Sequence, residues 1–177
     1  MLFRSNQHQG EMDEADAALN VVYGQYASMT AESLMKDPAA MGIGERLFLN
    51  NCAACHGSDA RGSKGFPNLT DNDWLYGGSH ETIKETITKG RAGAMPSMKA
   101  AVGSPEDVRN VAHYVLSLSG SAHDAVAAQL GKNKFVVCAA CHGVDGKGNQ
   151  ALGAPNLTDK IWLRSEEHTS ELQSRLH

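Results

Sequence analysis

The chain has 177 residues, of which 41% are hydrophobic and 20% charged, with a formal net charge of -4. That balance is ordinary for a globular protein. It offers no basic stripe for nucleic acid and no apolar run long enough to cross a bilayer. Aromatic content is only 6%, so two small domains in this length have thin cores unless another group fills them.

The first thirty residues lack the basic start and continuous apolar stretch of an export signal. Gly44-Glu-Arg-Leu-Phe48 then sets a small residue and an aromatic on one helical face. It leads directly into Cys52-Ala-Ala-Cys55-His56-Gly57, followed by Pro67-Asn-Leu-Thr-Asp71 and Trp74-Leu75. A helical stretch is expected from about His80 to Lys89, and then a Gly/Pro-punctuated loop carries Met95 and Met98. Ser104 reads as an N-cap, with Pro105 at the first helical position and Glu106 and Asp107 in the first turn. Val108, Val111, Ala112, Val115 and Leu116 continue this helix as an apolar stripe, and Gly120 ends it. His113 shares the opposite, polar face with Arg109, Asn110 and Ser117, where it is expected to be solvated. After a short linker the pattern returns as Gly131-Lys-Asn-Lys-Phe135, Cys138-Ala-Ala-Cys141-His142-Gly143, Pro155-Asn-Leu-Thr-Asp159 and Trp162-Leu163.

Two identical C-A-A-C-H-G blocks inside one repeat decide the chemistry. In C-x-x-C-H, two thiols on one helical turn reach the two vinyl groups of a porphyrin. The histidine that follows is carried to the iron as an axial ligand. A four-cysteine zinc site would have to close a loop far longer than zinc ribbons use. A thioredoxin-like pair would follow a strand, whereas the preceding segments here look helical. Cys52, Cys55, Cys138 and Cys141 are therefore read as thioether sites, with His56 and His142 on two covalently attached c-type haems. Met95 is the candidate sixth ligand of the first haem, with Met98 the alternative in the same loop. The second copy has no methionine after it; His168 and His177 are the only later residues able to ligate. Pro67 and Pro155 either offer a carbonyl to the far nitrogen of the axial histidine or are simple loop prolines. Trp74 and Trp162 either donate to a haem propionate or fill space beside the porphyrin.

The G-x-x-x-F segments resemble the amino-terminal helix of small cytochrome c domains, where the glycine permits close crossing by a carboxy-terminal helix. The tandem F-P-N-L-T-D-x-D-W-L and A-P-N-L-T-D-x-x-W-L blocks resemble the dihaem subunit III (P subunit) of cbb3-type cytochrome c oxidases. This resemblance implies a mainly α fold with two tandem cytochrome c-type domains, 41–119 and 128–163, joined by a linker at 120–127. The second domain is then truncated, and residues 6–40 form a helical lead-in from a membrane anchor. The implied role is electron transfer from a donor cytochrome c towards the monohaem and oxygen-reducing catalytic subunits. The implied location is the bacterial inner membrane, with the haem domains facing the periplasm and no bond-making step in this chain. The rivals are a soluble dihaem cytochrome c, a dehydrogenase cytochrome subunit and a dihaem peroxidase. Arg164–Ser174 resembles the in-frame translation of an adapter oligonucleotide used in short-read DNA sequencing, and Leu2–Ser5 resembles the end of its companion. Residues 1–5 and 164–177 are accordingly expected to be adapter-derived and the tail to have no evolved fold. The family's second methionine would then fall beyond Leu163.

Overall fold

The computed structural model describes residues 2–162, with residues 2–6 described by backbone alone. The adapter-like tail, with His168 and His177, lies outside the described residues. The chain packs as two compact units, Met1–Gly62 and Ser63–His177. The described residues are helical and contain no strand, only two isolated antiparallel bridges, Ser63 with Phe66 and Asn149 with Ala154. None of their helices is long and apolar enough to cross a membrane.

The first unit begins with α1 (Leu2–Tyr23), whose polar surface is laced by i,i+4 bonds from Gln7 to Glu11 (3.2 Å) and from Gln9 to Asp13 (2.8 Å). A 3₁₀ turn at Gly24–Tyr26 and the short α2 (Ala31–Leu34) lead to α3 (Pro38–Asn51). Asp37 starts α3: its carboxylate accepts from the N–H groups of Ala39 (2.8 Å) and Ala40 (3.1 Å), and Pro38 occupies the first turn. Cys52 alone separates α3 from α4 (Ala53–His56), so the cysteine–histidine block is the last turn of an almost continuous helix.

In the second unit, α5 (His80–Lys89) covers the expected helical stretch and is capped by Ser79. An irregular run with Met95 and the short α6 (Lys99–Val102) connect it to α7 (Pro105–Leu118). The expected cap of α7 is present as a capping box. Ser104 Oγ accepts from Asp107 N–H (3.1 Å) and Asp107 Oδ2 accepts from Ser104 N–H (2.9 Å). These hydrogen bonds to its charged form hold the Asp107 carboxyl below the ordinary range, the bond from Ser104 N–H contributing most. Helix α8 (Ala125–Lys132) starts at Asp124, which accepts from Val126 and Ala127 N–H, and a 3₁₀ turn at Asn133–Phe135 feeds α9 (Val136–His142).

Helices α7 and α8 form the principal packing contact of this unit. The buried apolar side chains among the described residues gather around it: Val102, Val111, Ala128 and Phe135. Gly131 makes the crossing possible, because a Cβ there would run into the Asn110 carbonyl and come within 2.6 Å of Val111 N. Tyr114 meets Phe135 edge-to-face with centroids 5.2 Å apart. Of the expected stripe, Val111 is buried while Val108 and Ala112 are exposed, so α8 covers a narrower band than the periodicity implied. His113, expected to be solvated, is half-buried and has a partner on the chain as well. Its Nδ1 accepts the Asp124 N–H at 3.1 Å, because the turn before α8 brings that donor back over α7.

Packing and repeat thus divide the chain differently. The repeat places its boundary in the linker at 120–127, whereas packing joins α7, from the first copy, to α8, from the second.

Candidate haem centre

The second block is the better enclosed. Helix α9 ends at His142, which is 7% exposed, and Gly143 closes the turn. His142 Nδ1 lies 3.0 Å from the Pro155 carbonyl oxygen. A carbonyl can only accept, so Nδ1 carries the proton and donates it. Nε2 is left with its lone pair free, the state an imidazole needs to ligate a metal. Of the two readings of Pro155, the structure therefore favours the carbonyl that orients the histidine.

Cys138 is half-buried, whereas Cys52, Cys55 and Cys141 are exposed. Burial pushes the Cys138 thiol above its ordinary value. A redox-active C-x-x-C pair needs the opposite shift, towards thiolate, so this environment speaks against thioredoxin-like chemistry. Among the described residues no group of three or more His, Cys, Asp or Glu side chains is gathered to hold a metal ion. A haem iron, which takes four of its bonds from the porphyrin, needs only axial donors from the protein.

Trp162 supplies a further test of fit. Its indole Nε1 is buried and has no hydrogen-bond partner. Buried donors are normally paired, and a carboxylate of a bound group is the acceptor such a nitrogen lacks. Cys138, Cys141, His142 and Trp162 therefore fit a covalently held haem c. Trp74 is half-buried with Gly78 tight against its ring, where a Cβ would fall 2.7 Å away.

In the first unit, α4 carries Cys52 at its N-cap and Cys55 and His56 in its single turn. His56 is half-buried, and its carbonyl accepts from Gly62 N–H at 2.8 Å, as the His142 carbonyl does from Gly148 N–H at 2.8 Å. Met95 stands 81% exposed in the irregular run before α6, in the second unit; Met98 is half-buried at the N-cap of α6. Sequence reasoning missed the contacts of His113 and of the turn at 150–153. The periodicity of a helix does not say which loop folds back over it.

Tandem C-x-x-C-H blocks, a buried histidine held by the Pro155 carbonyl and a mainly helical frame fit the class of c-type cytochromes. The comparisons with known proteins specify the kind. Residues 39–115 match the family described as cytochrome c oxidase, cbb3-type, subunit III, and residues 128–177 match the family described as cytochrome c. The chain is 68% identical over 165 residues to the cbb3-type cytochrome c oxidase subunit CcoP of Rubrivivax gelatinosus, covering 93% of this chain and 54% of that protein. It is 44% identical over 161 residues to subunit FixP of Azorhizobium caulinodans, covering 84% and 55%. The chain belongs to the cbb3-type cytochrome c oxidase subunit III family and has two cytochrome c-type domains. It spans about half the length of the curated relatives it matches.

Proposed function

We propose that this chain is the dihaem electron-transfer subunit of a cbb3-type cytochrome c oxidase. It takes electrons from a donor cytochrome c and passes them, through the monohaem subunit, towards the oxygen-reducing catalytic subunit. The observation that carries the reading is His142. It is buried, follows Cys138 and Cys141, and is fixed by the Pro155 carbonyl in the tautomer that presents Nε2.

Cys52 and Cys55 hold one haem and Cys138 and Cys141 the other, each through thioether links, with His56 and His142 as proximal ligands. Met95 is the sixth ligand of the first haem; its thioether favours the ferrous state and so raises the potential. The haem iron supplies one-electron ferric–ferrous exchange. The chain's own contribution is to orient His142 through the Pro155 carbonyl and to offer the buried indole N–H of Trp162 to the bound group. The domains follow the repeat, 41–119 and 128–163 about the linker at 120–127, with 6–40 leading from an anchor in the bacterial inner membrane. The haem domains face the periplasm, where c-type haem is attached.

The test is to produce the chain in cells able to attach haem c, count haem per polypeptide, and titrate the product against potential. The holo-protein is then added to the catalytic and monohaem subunits with reduced donor cytochrome c. Two haems per chain and restored oxygen consumption are expected. Absence of haem at either block, or oxygen consumption indifferent to the chain, overturns the reading.

A further inference from the structure

The two copies differ in length at one place. Pro67 lies 11 residues after His56, whereas Pro155 lies 13 after His142. The bridges locate the surplus: the first copy closes from Ser63 to Phe66, and the second from Asn149 to Ala154. The longer turn thus contains Gln150, Ala151, Leu152 and Gly153, and it reaches back to the first copy. Gln150 Nε2 donates to the Trp74 carbonyl at 2.9 Å, across 76 residues of sequence. Gly153, at φ +64, lies close against Tyr76, and a Cβ there would overlap the ring carbons and the phenol oxygen. Tyr76 is also stacked by Arg91, whose Cζ lies 5.0 Å from the ring centroid.

This is one of three first-copy supports under the second haem-binding segment. The α7 backbone at Asn110 and Val111 receives Gly131, and Leu118 closes on Gly146, where a Cβ would come within 2.9 Å of Leu118 Cδ1. Gly131 precedes the cysteine–histidine block, Gly146 follows it, and the 150–153 turn leads into Pro155, which orients His142.

We propose that the 150–153 turn is an inter-repeat clasp. Through it, Trp74 and Tyr76 of the first copy position the loop that holds the second axial histidine. Gln150, Gly153 and Tyr76 are positioning residues for the second haem, and the part of the first copy that follows Gly62 interlocks with the second copy. The assignment of a haem to His142 rests on the reading proposed above; the clasp itself rests on the contacts.

The experiment uses the full chain in its haem-loaded form. Gly153→Ala introduces both left-handed strain and the collision with Tyr76. Gly120→Ala introduces strain alone, since Gly120 has φ +69 and open space around its would-be Cβ. Tyr76→Ala, the Gly153→Ala/Tyr76→Ala pair and Gln150→Leu complete the set. Thermal melting and the haem-methyl NMR shifts of the ferric protein are recorded, the shifts assigned with variants lacking either cysteine pair. Gly153→Ala is expected to melt about 4 °C or more below Gly120→Ala and to move the second haem's methyl signals. Tyr76→Ala should shrink that increment in the pair, the non-additivity of residues in contact. Gln150→Leu should move the same signals less. Equal melting of Gly153→Ala and Gly120→Ala, or strict additivity with Tyr76→Ala, overturns the clasp. Shifts confined to the first haem do the same. Haem content, measured first, tests the electron-transfer reading separately; the melting comparison tests the clasp whatever that content is.

Discussion

From each histidine onward the two copies share their Asx turns in the same order. Asp59 accepts from Arg61 N–H (3.1 Å) and Asp145 from Lys147 N–H (3.2 Å). Asn68 accepts from both the N–H and hydroxyl of Thr70, and Asn156 from both those of Thr158. These Asx turns explain why N-L-T-D recurs: each polar side chain satisfies backbone donors that a loop leaves without a ladder. The copies part in what covers them. Gly131 is buried against α7, whereas Gly44, its counterpart, is exposed with nothing within 4 Å of its would-be Cβ. Identical local chemistry can therefore sit in different tertiary surroundings, and the glycine of G-x-x-x-F permits a crossing without naming the partner helix.

The sharpest test of the difference removes each haem in turn. On the proposed dihaem reading, replacing Cys138 and Cys141 by Ser, or Cys52 and Cys55 by Ser, should each lower haem content from two per chain to one, measured against polypeptide concentration. The losses should differ in stability. Phe135 and His142 are among the few buried side chains, at 4% and 7% exposure, so the second deletion opens the principal core. The Cys138/Cys141 variant should melt well below the Cys52/Cys55 variant; equal melting would erase the distinction.

The crossing glycines come next. Gly131→Val drives a branched side chain into the Asn110 carbonyl and should cost at least about 3 kcal/mol by denaturant titration, at the upper end of overpacking. Gly44→Val meets open space and exchanges one weak helix former for a better one. It should stay within about 0.5 kcal/mol of the parent. A large loss at Gly44 would mean that the first copy's helix also needs a close crossing.

The caps of the crossing helices respond to acid. Hydrogen bonds to their charged forms, in each case led by a backbone N–H, hold the carboxyls of Asp107 and Asp124 below the ordinary range. A group whose folded pKa is depressed stabilises the fold fully above its unfolded pKa, near about 3.9. That contribution is lost as pH falls through the folded value. Asp107→Asn and Asp124→Asn should therefore melt lower than the parent at pH 6, with the gap narrowing as pH falls below the ordinary carboxylate range. A gap unchanged across that range would assign the effect to something other than carboxylate charge.

These elements also mark what the sequence disclosed. Local signals were legible because local physics sets them: the Ser104–Pro105–Asp107 cap and the His80–Lys89 helix are where residue chemistry puts them. The repeated C-x-x-C-H block was plain as well, since cysteines three positions apart and the next histidine fall close to one helical turn. The pairing of α7 with α8 was not legible. Both copies carry the same crossing glycine, and choosing between Gly44 and Gly131 is a matter of long-range packing. The clasp was half visible as a two-residue difference in histidine–proline spacing, but no pattern in Gln150 or Gly153 points to Trp74 and Tyr76.

The smallest effect concerns one position where the copies differ inside an otherwise shared turn. Ala60 stands at φ +58 where the second copy has Gly146 at φ +73. An alanine in the left-handed region carries a steric cost of about 1–2 kcal/mol, because its Cβ crowds the following carbonyl. Glycine removes that cost but gives back about 0.4–1 kcal/mol through the greater freedom of its unfolded chain. Ala60→Gly should therefore stabilise the protein by about 0.5–1 kcal/mol, read as a higher denaturation midpoint at unchanged slope. The reverse exchange, Gly146→Ala, adds the same strain and also presses on Leu118 Cδ1. It should cost more than Ala60→Gly gains. If the two exchanges were mirror images in size, the Leu118 contact would contribute nothing, and the second copy's turn would be no more tightly held than the first.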